Sequence, residues 1–284
     1  MEEISWASVW CSVTGTSHIN TALPCQDSSE VKILDGTNLI IAVVSDGAGS
    51  CSNSHIGSSY LAKQAINELE KYLLSSNSDR IESELIWQQI FFDMFKNLKS
   101  DLKIEANNRD LDFKSLSATL IVAVSDGGFI GCAHIGDGRA TYRNACGEWL
   151  PMMKPFHGEE ANQTVFLTSD YWEDDEDASY FESFYIQEII TGFALLSDGC
   201  ERSSFKVLDY DQEKQTYFDP NLPYKPFFEP NYSALKLLIN KTSSQQELND
   251  LWAKYISSGT KKLILENDDK TMILSVRLDI DDKN

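Results

Sequence analysis

Leu39-Ile40-Ile41-Ala42-Val43-Val44 runs apolar without a break and then meets Ser45-Asp46-Gly47-Ala48-Gly49. So short an apolar run, closed by a turn signal, predicts a central strand buried on both faces. A carboxylate at such a strand end, beside glycine, can project into a cleft while the backbone carbonyl stays available. The pattern returns where residues 193–196 run apolar into Ser197-Asp198-Gly199. Cys25-Gln26-Asp27 and Asp268-Asp269-Lys270-Thr271 add two more acidic motifs, the second opening onto an apolar strand over 272–278. Carboxylates converging from several strand ends make a hard-oxygen site suited to Mg²⁺ or Mn²⁺. The motif spacing therefore suggests a two-metal hydrolase.

Around these motifs the elements segregate. Residues 4–14 alternate at period two and predict a strand. A helix is expected over 56–74, where Ala62, Ala65, Ile66, Leu69 and Leu73 share one face. A second is expected over 82–106, with Phe91, Phe95, Leu98 and Leu102 aligned. Residues 119–124 and 129–135 predict a hairpin through Ser125-Asp126-Gly127-Gly128, and 139–143 continues extended. Residues 147–190, with the acidic run Glu173-Asp174-Asp175-Glu176-Asp177, read as irregular. Residues 203–230 are rich in proline and aromatics and lack periodicity. Ser244-Gln245-Gln246-Glu247 is a capping box, followed by an apolar face of Leu248, Leu251, Trp252 and Tyr255. Strands, two helices, more strands, a helix and a final strand favour a layered α+β fold over an alternating one. A single domain over 1–284 is expected, because motifs from position 27 to position 268 must meet at one site.

The bulk numbers narrow the function classes. The chain has 284 residues, ample for a packed core. It carries 24 basic and 44 acidic residues, a net charge of −20, which argues against nucleic-acid phosphate or anionic lipid as partner. Solubility is the plainer meaning of that charge. No stretch is long and apolar enough to span a membrane, and the start lacks the basic region of a signal peptide. A cytoplasmic location is expected. Six cysteines, Cys11, Cys25, Cys51, Cys132, Cys146 and Cys200, are spread singly. They read as reduced thiols, with no spacing suited to zinc.

Taken in order, Gln26-Asp27, Asp46-Gly47-Ala48-Gly49, Ser117-Ala118-Thr119, Gly136-Asp137-Gly138, Ser197-Asp198-Gly199 and Asp268-Asp269-Lys270-Thr271 resemble the metal-dependent protein phosphatase family, protein phosphatase 2C. Pro24-Cys25-Gln26-Asp27 is similar to a divergent bacterial branch of it. The resemblance implies a four-layer α-β-β-α sandwich of two antiparallel sheets flanked by helices. It also implies hydrolysis of phosphoserine and phosphothreonine with two Mn²⁺ or Mg²⁺ ions, on a phosphorylated protein made by an opposing serine/threonine kinase. Carried over by residue, Asp46 would bridge the metals and the Gly47 carbonyl would bind one. Asp198 and Asp268 would bind the other, Asp27 would position the attacking water, and Asp137 would sit beside an optional third ion. Residues 147–190 would correspond to a flap over the cleft, where Met152, Met153, Trp172, Tyr180 and Phe181 either touch a protein substrate or anchor the loop.

Two departures from the family pattern stand out. Gln26 occupies a position usually acidic, and no arginine precedes Arg80 where the family often holds substrate phosphate. His18 is the local substitute, as donor to phosphate or general acid to the leaving oxygen. Taken alone, Asp46 or Asp198 would be an Asx-turn or helix cap, and His18 a packed structural residue. Asp126 reads as a turn former, His134 as core, His55 as a helix cap, and Asp269 as orienting Asp268. His157 receives no role. Cys25 and Cys200 read as small packing residues, with thiol redox sensitivity as the minority reading. The competing readings are a catalytically weak phosphoprotein-binding or regulatory module on the same fold and a small-molecule phosphatase.

Overall fold

The computed structural model describes residues 5–75, 83–156, 164–170, 172–173, 180–242 and 244–278. His157 and most of the acidic run after Glu173 lie outside these residues. In chain order the elements are β1 (Ser5–Val13), α1 (Thr16–Thr21), β2 (Ser28–Ile33), β3 (Ile40–Ser45), α2 (Ser54–Ser75) and α3 (Glu84–Asn108). Next come β4 (Leu120–Ser125), β5 (Ile130–Ile135), β6 (Arg139–Asn144), β7 (Trp149–Pro151), β8 (Glu182–Ile186), β9 (Ile190–Leu196) and α4 (Glu201–Ser204). The chain then passes through β10 (Phe205–Lys206), β11 (Asp209–Asp211), β12 (Thr216–Phe218), β13 (Leu222–Pro223), α5 (Lys225–Leu238), α6 (Gln245–Ser258), α7 (Lys261–Leu265) and β14 (Lys270–Leu278).

Two five-stranded antiparallel sheets face each other. One has the order β1-β14-β9-β6-β7, the other β2-β3-β4-β5-β8. The unbroken apolar runs are explained by what covers each face. Ile40, Ala42 and Val44 join Ile121, Ala123, Phe193, Leu195 and Ile273 between the sheets. Ile41 and Val43 alternate outward, onto the buried faces of α2 and α3 with Leu61, Leu69, Phe91 and Phe95. On the opposite side Val9, Ala194, Leu196 and Leu274 meet Phe228, Leu235, Trp252 and Ile256 of α5 and α6. Each central strand thus serves two cores, and the four layers expected from the resemblance are present.

Several local readings are refined. Ser83 caps α3 by accepting from Ile86 N at 3.3 Å, and Ser244 caps α6 through Glu247 N at 3.2 Å. Leu251 is a correction: it is exposed, and α6 buries Leu248, Trp252 and Ile256 instead. The region 147–190 carries two strands, β7 and β8, at the outer edges of the two sheets. Within it Met152 and Met153 are buried between the sheets, and Trp172 and Phe181 lie in the core under α3, so these residues anchor the segment. Asp126 accepts from Gly128 N and Phe129 N at 2.8 and 3.2 Å and is a turn former. His134 is buried in β5 with Glu182 as neighbour. His55 lies inside the first turn of α2 rather than capping it. All six cysteines are free thiols. Among the described residues no helix is long and apolar enough to cross a membrane.

Candidate metal centre

The Asp46 loop is seated by the strip Ser117-Ala118-Thr119. Thr119 N donates to the Asp46 carbonyl at 2.7 Å, Asp46 N to Thr119 Oγ1 at 3.1 Å, and Ala48 N to the Ser117 carbonyl at 2.9 Å. Ser45 Oγ closes the same ladder on the Thr119 carbonyl at 2.6 Å. On the other side Gly47 N donates to the Gln26 carbonyl at 3.1 Å, which brings the Gln26-Asp27 segment beside the loop. That carbonyl also receives Ser58 Oγ from α2. A strand end and a helix start therefore fix both motifs at once.

Asp27 and Asp198 meet through a serine. Ser197 Oγ donates to Asp27 Oδ2 at 2.8 Å and accepts from Thr271 N at 3.1 Å. Asp198 follows immediately, opening a short 3-10 turn at the end of β9. The last motif is held from three sides. Asp269, 2% exposed, accepts Gly15 N at 2.7 Å on one carboxylate oxygen and Gln26 N at 2.6 Å on the other. His18 Nδ1 lies 2.9 Å from that second oxygen. Lys270 Nζ donates to the Leu263 and Glu266 carbonyls at 3.3 and 3.2 Å, a cation at the C-terminal end of α7. Glycine is required where these turns touch. A Cβ on Gly15 would come within 2.3 Å of the Asp268 carbonyl carbon, and one on Gly199 within 2.0 Å of the Asp269 carbonyl oxygen.

The resulting carboxylates crowd one another. The Asp27, Asp46 and Asp198 carboxyl groups are close enough to act on one another, Asp46 on both of the others. Burial, partly offset by hydrogen bonds from Asp46 and Ser197, pushes Asp27 up to about 6. Burial and the neighbouring charges of Asp27, Asp198 and Asp137 raise Asp46 well above the usual carboxylate range. Asp198 is raised by burial and by Asp137 and Asp268. Among the described residues no lysine or arginine forms an ion pair with Asp27, Asp46 or Asp198. Asp27 is buried and Asp46 and Asp198 are half-buried, and like charges so placed without a counter-charge are costly. Gln26, 3% exposed, donates its amide to the Cys51 carbonyl at 3.3 Å, while its Oε1 is buried without a hydrogen-bond partner. Carboxylates lacking a cation and an orphaned amide oxygen are the donor set a hard divalent ion requires. Among the described residues no three acidic, histidine or cysteine side chains close into an all-protein cage. A metal here would draw on waters and backbone or amide oxygens as well as carboxylates, as Mg²⁺ and Mn²⁺ can.

The fold thus brings Asp27, Asp46 and Asp198 into contact, with Asp137 beside Asp46 and Asp198, and the exposed Asp268 beside Asp198. His18 is joined instead to Asp269. Asp269 does more than orient its neighbour: it fastens the N-terminal segment at Gly15 and Gln26. Cys25 and Cys200 have their thiols pushed up by burial, and Asp27 adds to this in both, which favours packing over redox chemistry.

Three residues take positioning roles that motif order does not assign. Ser197, in Ser197-Asp198-Gly199, and Thr119, in Ser117-Ala118-Thr119, position the aspartates through their hydroxyls. Arg139 is the third. Though 1% exposed, it donates to Glu201 at 2.9 Å, Asp219 at 2.6 Å and Asn221 at 2.7 Å, tying the Asp137 turn to the helix after Asp198.

Comparison with known proteins agrees with this fold. The family model described as Protein phosphatase 2C matches residues 14–251. The chain is 31% identical to serine/threonine-protein phosphatase 3 of Escherichia coli K12, covering 96% of this chain and 99% of that protein. Among solved structures, the catalytic domain of the serine/threonine phosphatase PstP, in complex with two manganese ions, superposes with a TM-score of 0.54 at 14% identity, covering 98% of this chain and 100% of that one. Stp1 of Staphylococcus aureus gives 0.53 at 16% identity, covering 97% and 95%. The chain belongs to the protein phosphatase 2C family of manganese- or magnesium-dependent serine/threonine protein phosphatases.

Proposed function

We propose that the whole chain acts as one phosphatase domain whose centre is Asp27, Asp46, Gly47, Asp198 and Asp268, with Asp137 beside an optional third ion. The observation that carries the assignment is the contact of Asp27, Asp46 and Asp198 without a counter-charge. When bound, two divalent ions neutralise phosphate charge and make water acidic enough to attack at neutral pH. Asp46, fixed by Thr119, would hold both ions, and the Gly47 carbonyl and the Asp198 and Asp268 carboxylates would complete the set. Asp27, its Oδ2 held by Ser197, orients the attacking water. The substrate is a phosphorylated protein, the opposing enzyme a serine/threonine kinase, and the compartment the cytoplasm.

Turnover of a phosphothreonine peptide should need Mn²⁺ or Mg²⁺ and vanish in chelator. Full activity with chelator in excess would sink the two-metal reading. Binding can be read without turnover. Saturating Mn²⁺ should raise Tm by roughly 5–10 °C, because a ligand at a hundred times Kd stabilises by about 2.7 kcal/mol. An unmoved Tm means the carboxylates bind no metal.

His18, its Nδ1 turned to Asp269, is proposed to offer the rest of the ring to phosphate or leaving group. His18→Ala should lower kcat/KM by about tenfold to a hundredfold while the half-saturating Mn²⁺ changes less. Unchanged kinetics would make the imidazole purely structural.

Gln26 supports a second reading, a weakly catalytic phosphoprotein-binding module, because a neutral amide supplies no charge to the centre. Gln26→Glu should lower the half-saturating Mn²⁺ by about tenfold, the effect of one added charge near a divalent ion. Equal half-saturation in calorimetry would put Gln26 outside the coordination sphere and remove that support.

A further inference from the structure

Between Lys206 and Leu222 the chain leaves both sheets and forms a small ladder of its own, β11 paired with β12. Tyr210 stands opposite Tyr217, with ring centroids 4.9 Å apart. Both rings face solvent, at 45% and 67% exposure, and Leu208 and Phe218 are exposed beside them. A two-stranded ladder is marginal on its own; the facing tyrosines staple it and still leave the outer faces of both rings to solvent.

The excursion is nonetheless rooted at the metal centre. It leaves directly from α4, the helix that follows the Asp198 turn. It returns through Asp219 and Asn221, both bound to the buried Arg139, two residues beyond Asp137. Asn221 Nδ2 also donates to the Met153 carbonyl at 2.7 Å. Three segments around the carboxylates thus fix the base of the ladder.

We propose that the face formed by Tyr210 and Tyr217 is a docking surface for the polypeptide around the phosphorylated residue, and that it selects a basic segment. This rests on the phosphatase activity of the family, which obliges a protein chain to lie over the carboxylate cluster. Charge supplies the choice of partner. Within the excursion Lys206 pairs with Asp209, Lys214 with Asp211 and Arg139 with Asp219, so the local charge left is that of Glu213, and the attraction for a basic segment comes mainly from the protein's net charge of −20. Tyrosine rings offer both an apolar face to aliphatic stems and a π face to lysine or arginine heads.

The test uses the full chain and a fluorescent, lysine-rich phosphoserine peptide of histone-tail composition. Anisotropy is measured in chelator, so that turnover is off and docking alone is read. Tyr210→Ser/Tyr217→Ser should weaken binding by about fivefold, the loss of one good aromatic contact, and Tyr210→Phe/Tyr217→Phe should keep most of it. With Mn²⁺ restored, turnover of p-nitrophenyl phosphate should be equal in all three proteins. Equal peptide affinity for wild type and the serine variant overturns the proposal. So does an equal loss on the peptide and on p-nitrophenyl phosphate, or a wild-type dimer that the serine variant dissolves. Absence of p-nitrophenyl phosphate turnover in wild type would instead count against the metal centre, with the anisotropy result still deciding the docking surface.

Discussion

Asp46→Asn and Asp198→Asn should each lower kcat by about 10²–10³-fold with the fold intact. Each change keeps size and removes both a charge and a metal–oxygen contact. Asp46 is the stronger case, because its carboxyl interacts with those of both Asp27 and Asp198. The metal-free variants should melt no lower than wild type, since an asparagine relieves part of the repulsion among buried acids. The Mn²⁺-induced rise in Tm should shrink at the same time. Loss of activity alone could come from misfolding. Loss of activity and of the Mn²⁺ shift, with the metal-free Tm preserved, could not. Near-normal turnover at saturating Mn²⁺ in either variant would dismiss that residue as a ligand.

Gly199→Ala should act on both stability and turnover. The added methyl would lie 2.0 Å from the Asp269 carbonyl oxygen, so the Asp198 turn and the Asp269 turn must separate by about an ångström. Both neighbours are backbone and cannot rotate aside. Overpacking of this kind costs about 1–3 kcal/mol, or a fall in Tm of roughly 3–10 °C for a chain of this size. The same separation carries Asp198 away from Asp27 and loosens the Ser197 relay, so kcat should fall by at least about tenfold. A variant with wild-type Tm and kcat would show that the turns tolerate the separation, and that their spacing does not tune the site.

The elements legible in the sequence are those buried on two faces. The runs 39–44, 119–124, 129–135 and 193–196 recur as β3, β4, β5 and β9 because each strand fills two cores and needs no alternation. β2 was missed for the opposite reason. Ser28–Lys32 is half-buried, Ile33 is exposed, and the strand carries polar residues at both faces. α5 escaped because Pro226 and Pro230 mask its periodicity. Pro226 falls in the first turn, where no amide is needed, but Pro230 sits inside, and tertiary burial of Phe227, Phe228, Tyr232 and Leu235 overrides the local penalty. At the site, motif order identified the aspartates. Their arrangement rests on Thr119, Ser197 and Arg139, whose partners lie 62 to 170 positions away, beyond the reach of local pattern.

The β1–β14 ladder has a consequence for how the protein is made. Ser5 stands opposite Leu278, and Gly15 and Gln26 hang on Asp269. β1 therefore waits for β14 to be made. At about 5–20 residues per second that interval is roughly a quarter of a minute to a minute. During it Trp6, Val9 and the nascent Asp27 segment have neither their sheet partner nor their carboxylate anchor. A half-made chain cannot dephosphorylate anything, and a stalled one exposes an unpaired apolar edge to chaperones and proteases. Activity is thereby reserved for chains translated through their final strand.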